Sequence, residues 1–276
     1  MPNSIYNKTI ALLFHEQDTP ASIKNYLIIH YASIWQQQGS RIIVLFGTAR
    51  FVPADLIIVH VDLSVVPDSY LEFAAGYPIV VNGKIRDIRK SKISQNLLQH
   101  GCDYQGPVIV KSDNNYAGTP EKRFFPQQLN DAEQLFKNPL DYQIYPNYAA
   151  IPDVIVQLQG IVVEQFMPEI EQGLYHIRFY NFLGNRGNCM RVASMHPIVH
   201  INHAVKIEQI PLDPRIEKLR RAYDFDYGKF DYVERDEEII LFDTNKTTGF
   251  VGGTENLAWR EARYFRAMGI YDYFRE

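Results

Sequence analysis

A chain of 276 residues with 46% hydrophobic and 22% charged side chains has the composition of a globular protein, long enough for one large domain or two to three small ones. Its formal net charge of −4 gives no electrostatic case for a nucleic-acid partner, and its nearest basic run, residues 84–92, is short and interrupted by an acid. Two cysteines, Cys102 and Cys189, make neither a disulfide framework nor a metal-site spacing and fit a reducing, cytoplasmic setting; no apolar run has the length of a signal peptide core or a membrane span, so no membrane partner is expected.

In chain order, residues 8–16, KTIALLFHE, read as a buried strand. Residues 19–39 read as one helix with Thr19 as its cap, Pro20 at its first position and Gly39 as its stop. Residues 41–47 and 54–62 read as strands, 67–76 as a short helix and 77–83 as a fourth strand. Apolar strand runs alternating with helices predict a parallel sheet covered on both faces, hence a small α/β domain over residues 1–83. Beyond it the pattern changes. Residues 91–101 read as helix, 106–113 as a strand entering the polar loop NNYAGTPEKR, and 126–150 as an irregular surface segment. Residues 153–160, 161–168, 175–184 and 188–195 read as strands, 213–226 as a helix and 227–245 as a hairpin. A last helix is expected over 254–269, capped by Thr254 and stopped by Gly269. Antiparallel strands with helices packed on them predict an α+β region from residue 84 to 276.

The hairpin carries the most informative chemistry. Folded about Glu237, it sets Asp231 opposite Asp243. Lys229, Asp231 and Val233 then share one strand face, and Leu241, Asp243 and Asn245 the matching one. Acids directly across a ladder repel, and a divalent cation would offset the repulsion; an oxygen-only set of this kind suits Mg²⁺. A solvated face on which Lys229 neutralises one acid accounts for the same residues. Lys111 ends a buried strand beside the loop of Asn115 to Gly118, where a phosphate could be held, or where a lysine simply reaches solvent. Arg178 alternates with His176 and Tyr180, and Arg191 lies mid-strand; either could clamp phosphate or stay solvated. Glu164 and Gln165 sit late in a strand.

The order of these pieces resembles the ATP-grasp superfamily, including the glutathione synthetase type of ATP-binding fold. GKFDYVERDEEIILFDTNKTTG is similar to its terminal metal motif, GPVIVKSDNNYAG to its lysine strand and mobile loop, IVVEQFMPE to its adenine hinge, and HIRFYNFLG to its D-x-R strand. The resemblance implies an N-terminal domain over residues 1–83, then a grasp over 84–276 with a lid-like subdomain at about 105–165 and a larger catalytic one at about 166–276. It implies ATP and Mg²⁺ as cofactors. A small-molecule or peptide carboxylate would be phosphorylated, and the acyl phosphate captured by an amine or thiol acceptor, giving an amide or thioester. By position, Asp231, Asp243 and Asn245 would hold Mg²⁺. Lys92, Lys111, Arg178 and Lys229 would meet phosphates. Gly118 lies in the mobile loop, Glu164, Gln165, Phe166 and Met167 would form the hinge, and Glu169 or Glu171 would reach the ribose. Arg191 would steady the acyl phosphate. Members of the superfamily often form homodimers. Asp243 replaces the more usual Glu, His176 replaces Asp, and Asn115 is expected to supply the left-handed backbone that glycines supply elsewhere. The alternatives are a nucleotide-binding module without ligation and a small-molecule kinase.

Overall fold

The computed structural model describes residues 6–250 and 257–275. The expected Thr254 cap lies outside the described residues. Four strands, β1 (Thr9–Phe14), β2 (Arg41–Phe46), β3 (Leu56–Val59) and β4 (Val80–Val81), form a parallel sheet in the order β2-β1-β3-β4. Alternation along β1 sends Ile10, Leu12 and Phe14 against one apolar cluster, and Ala11 and Leu13 against another, so helices cover both faces.

The single helix expected over residues 19–39 is two: α1 (Pro20–Ile23) and α2 (Leu27–Gln37). Thr19 does cap α1, accepting from Ser22 N at 3.2 Å. The break has a tertiary cause. Leu27 N donates to Thr248 O at 2.9 Å, Phe250 N donates to Asn25 O at 2.6 Å, and Tyr26 bridges Gly249 like a strand residue. Helical propensity in this stretch yields to pairing with the segment that follows residue 245. The remaining helix of this region is α3 (Asp68–Ala74).

A second, antiparallel sheet has the order β6-β5-β7, from β5 (Val108–Ser112), β6 (Gln143–Tyr145) and β7 (Ile161–Gln165). Before it comes α4 (Lys90–Ile93); around it lie α5 (Thr119–Phe124), α6 (Asp131–Leu135) and α7 (Asp153–Val156). Three expectations are corrected here. The helix read at 91–101 stops at Ile93, because residues 96–98 run extended along β7, with Leu98 N on Val163 O at 2.8 Å. Residues 153–160 start as a helix, not a strand. The segment 126–150 contains α6, whose Asn130–Glu133 capping box is complete, and β6.

The third sheet is antiparallel and has six strands: β8 (Glu169–Glu171), β9 (Leu174–Leu183), β10 (Arg186–Ser194), β11 (Ala204–Ile210), β12 (Tyr227–Arg235) and β13 (Glu238–Asn245). Its order is β11-β10-β9-β12-β13, with β8 also paired to β9. Helix α8 (Pro214–Ala222) covers one face through Ile216 and Leu219. Helix α9 (Leu257–Ala267) returns to the first unit: Trp35 Nε1 donates to Ala267 O at 2.7 Å and Arg266 Nε to Tyr31 OH at 2.7 Å. Gly269 does not stop this helix, since a 3₁₀ turn continues from Met268 to Phe274. Its role is close approach: a Cβ there would lie 2.0 Å from Leu183 O.

Candidate active site

The site begins with the turn between β12 and β13. Asp236 and Glu237 have φ of 52° and 65°, the two left-handed residues of a type I′ hairpin, and Arg235 pairs with Glu238. From that turn alone, Asp231 would face Phe242. A bulge between Asp231 and Tyr232 shifts the register by one, so Asp231 pairs with Asp243 and Lys229 with Asn245. The expected pairing of the acids is therefore present, and a bulge makes it. The bulge also corrects one neighbour. Leu241 pairs with Tyr232 and is buried with it on the opposite face, while Phe242 packs toward the acids' side.

Register across the sheet defines two adjacent rows on one face. One runs Met190, Phe179, Asp231, Asp243; the next runs Asn188, Asn181, Lys229, Asn245. They border a cavity of about 740 Å³. Its other walls are Tyr26 and Asp62 of the first unit, the loop at Asn115 and Tyr116, Arg123, the residues around His200, and one face of α9.

Lys229 Nζ lies 2.9 Å from the Asp231 carboxylate and 4.4 Å from the centre of the Phe179 ring. It donates to Oδ2 of Asp231 and lies equally close, 2.9 Å, to the buried Oδ1, so one ammonium faces both carboxylate oxygens. Burial pushes the Asp231 carboxyl up to about 6; Lys229 opposes this and the Asp243 charge adds to it. Asp243 accepts from the N–H of Thr244 at 3.0 Å. Asn245 is held by Thr247, whose N–H donates to Asn245 Oδ1 at 2.7 Å and whose hydroxyl donates to Asp62 at 2.5 Å. Tyr26 OH also donates to Asp62, at 2.6 Å, and Arg123 lies 3.2 Å from Asp18. The end of β13 is thus locked to the first unit by a continuous polar chain.

Lysines ring the acids, though one differs from the expected set. Lys92 is exposed; Lys90, two positions earlier, is buried at 1% exposure, with Nζ 3.7 Å from Asp243 Oδ1 and donating to Asn114 O. The one-turn helix α4 presents Lys90 inward and Lys92 outward. Lys111 reaches Glu164 Oε2 at 2.6 Å and lies 4.9 Å from the Phe242 ring centre, next to Asp243 along the chain. Glu164 is fully buried, and its Oε1 has no partner.

Arg178 and Arg191 are corrected outright. They pair with each other across β9 and β10 and with Tyr232, so they point from the face opposite Asp231. There Arg178 Nε meets Glu169 at 2.7 Å and its NH1 meets Glu234 at 2.5 Å, while Arg191 meets Glu169 at 3.2 Å and Glu171 at 2.6 Å. Glu169 and Glu171 are consumed by this network and do not join the hinge. The hinge itself is partly occupied. Gln165 N donates to Asn96 O, Gln165 O accepts from Asn96 Nδ2, and Phe166 N donates to Pro107 O. Among the described residues no hydrogen bond engages the N–H of Met167. In the mobile loop the left-handed residues are Tyr116, Ala117 and Gly118, not Asn115. A Cβ on Gly118 would meet Glu133 Cγ at 2.4 Å.

Sequence reasoning missed Lys90, Asn181, Asn188 and the arginines of α9. Asn181 was detectable: it has the opposite parity to Arg178 on one strand. Among the described residues no group of three or more His, Cys, Asp or Glu is placed to hold a metal. The set here is two carboxylates and an amide, which fits a cation that completes its shell with ligand oxygens.

No protein-family profile matches the sequence, and no curated protein is significantly similar to it. Among solved structures, a RimK-domain ATP-grasp protein from Sphaerobacter thermophilus superposes with a TM-score of 0.50 at 10% identity, over 95% of this chain and 98% of that one. The macrocyclase MdnC of Microcystis aeruginosa, bound to its precursor peptide MdnA, gives 0.47 at 10% identity over 97% and 99% of the two chains. D-alanine–D-alanine ligase from Bacillus anthracis gives 0.46 at 11% identity over 98% and 100%.

Proposed function

We propose that this chain, whose fold is the ATP-grasp fold, is an ATP- and Mg²⁺-dependent ligase that joins a carboxylate to an amine or thiol. The observation that carries the reading is the Asp231–Asp243 pair on a cavity wall, with lysines 229, 90 and 111 around it. Asp231, Asp243 and Asn245 would hold Mg²⁺, which when bound neutralises phosphate charge. Lys90, Lys111 and Lys229 bring positive charge to the transferring phosphoryl group. A substrate carboxylate oxygen attacks the γ-phosphorus and ADP leaves. The acceptor nitrogen or sulfur then attacks the acyl carbon and inorganic phosphate leaves. Adenine would meet the free N–H of Met167. The reading assigns residues 1–83 to an N-terminal unit, 105–165 to a lid and 166–276 to the catalytic unit, with α9 closing the substrate side.

Calorimetry with a non-hydrolysable ATP analogue, with and without Mg²⁺, tests this. Wild-type binding is expected to need Mg²⁺, and Asp243→Asn is expected to remain folded while losing at least about 100-fold in Mg²⁺-dependent ADP release from carboxylate and amine pairs. An analogue that fails to bind with Mg²⁺ present would end the ligase reading.

A further inference from the structure

The mechanism leaves two cations on the cavity unused. Helix α9 turns Ala258, Trp259, Ala262, Arg263 and Arg266 toward the cavity, positions one helical face shares. Arg266 is only 8% exposed. It donates to Tyr31 OH and to Asn188 Oδ1, neither of them charged. Arg263 sits 5.0 Å from the Phe250 ring centre. Among the described residues no carboxylate lies within ion-pair distance of either arginine. The less exposed arginines of the opposite face differ: Arg178, Arg191 and Arg220 each have a carboxylate partner. Two guanidinium groups three residues apart also repel one another. A buried charge without a counter-charge is strongly unfavourable unless something else supplies it.

We propose that Arg263 and Arg266 anchor a free carboxylate of the substrate, one that the reaction does not consume. The cavity is polarised for this. Asp231 and Asp243 repel an anion at the lysine end, where phosphates are accounted for. Asn188, which holds Arg266, lies on β10, two strands and one row from Asp231 on β12, a span of about 12 Å. Phe179, Met190, Ile207 and Asn181 line the way between. A guanidinium fork matches a carboxylate in two parallel hydrogen bonds. About three extended residues bridge the span, so the substrate class is a short acidic peptide, or an acid of that length, with its reacting group at the far end. The role of this anchor in substrate choice rests on the ligase reading.

The test titrates wild type with N-acetyl-trialanine, its C-terminal amide, suberate and sulfate at fixed ionic strength, with the ATP analogue and Mg²⁺ in parallel. The acids are expected to bind at least about tenfold tighter than the amide, the scale of a charged hydrogen bond. Arg263→Gln, which removes no hydrogen bond seen in the fold, is expected to cut that preference severalfold, and Arg266→Lys to retain part of it. Equal binding of acid and amide, no binding of either acid, sulfate binding as tightly as the acids, or an unchanged preference in Arg263→Gln would each overturn the anchor. Loss of analogue binding with the acid preference intact would instead sink the ligase reading and leave the anchor standing.

Discussion

On the α8-covered face of the six-stranded sheet, Arg178, Arg191, Arg215 and Arg220 all meet carboxylates at 2.5–2.7 Å. On the cavity face, Arg263 and Arg266 meet none among the described residues, and Asp231 and Asp243 face each other with Lys229 2.9 Å from Asp231. The carboxylates record the same difference. Glu217 gains more from Arg220 and Tyr180 than burial takes away, and is held at about 2. Asp231, where burial dominates, stands at about 6. Charges that are balanced inside the protein hold the fold together; charges left unbalanced beside a cavity indicate what the cavity is built to receive.

Breaking the balanced face should have the larger effect on stability. Glu169→Gln removes the carboxylate that Arg178 and Arg191 share, leaving each its second partner, Glu234 or Glu171, and should cost about 2–3 kcal/mol, read from the urea midpoint. Affinity for the ATP analogue should stay within about twofold, since the network lies across the sheet from the site. A large loss of analogue affinity with little loss of stability would reverse the assignment of the two faces.

Asp231→Asn sharpens the contrast through pH. The unfolded carboxyl titrates near 3.9, and the folded one at about 6. Between those values the folded protein keeps a proton that the unfolded chain has lost, so wild-type stability falls as pH rises through this window and stays lower above it. The variant lacks that penalty. It should gain about 1–3 kcal/mol on wild type between pH 4 and pH 7, and Mg²⁺ with nucleotide should stabilise only the wild type. Urea midpoints at several pH values decide this; a stability difference that does not vary with pH would refute it.

The smallest effect separates neighbours on one short helix. Lys90→Ala should weaken analogue binding by about tenfold, as expected for a charge-assisted phosphate contact. Lys92→Ala should leave it unchanged, and the opposite ranking would restore Lys92 to the site.

Much of the architecture was legible in the sequence, because periodicity reports local structure and burial together. The parallel strands of the first unit and the facing acids of the hairpin both followed from it. Asp231 faces Asp243 only through a bulge, however, and no residue in the sequence marks that bulge. Arg178 and Arg191 were legible as strand residues, but which face they take depends on their register with β12, a contact across about fifty residues. Lys90 and Lys92 differ only in the phase of a one-turn helix set by its packing. The break between α1 and α2 came from pairing with residues 248–250, which no local pattern in residues 19–39 contains.

The bond from the Trp35 indole to the Ala267 carbonyl spans 232 residues. At the roughly 5–20 residues per second of ribosomal synthesis, α2 emerges about 10–50 s before α9. Throughout that interval the indole N–H of Trp35 and the hydroxyl of Tyr31 lack their α9 partners. The cavity wall that bears Arg263 and Arg266 is therefore among the last parts of the described chain to be put in place. The parallel sheet of the first unit precedes α9 by most of that interval, whereas the six-stranded sheet, completed by β13, precedes it by only about 1–2 s, and any binding that needs that wall waits until α9 has docked.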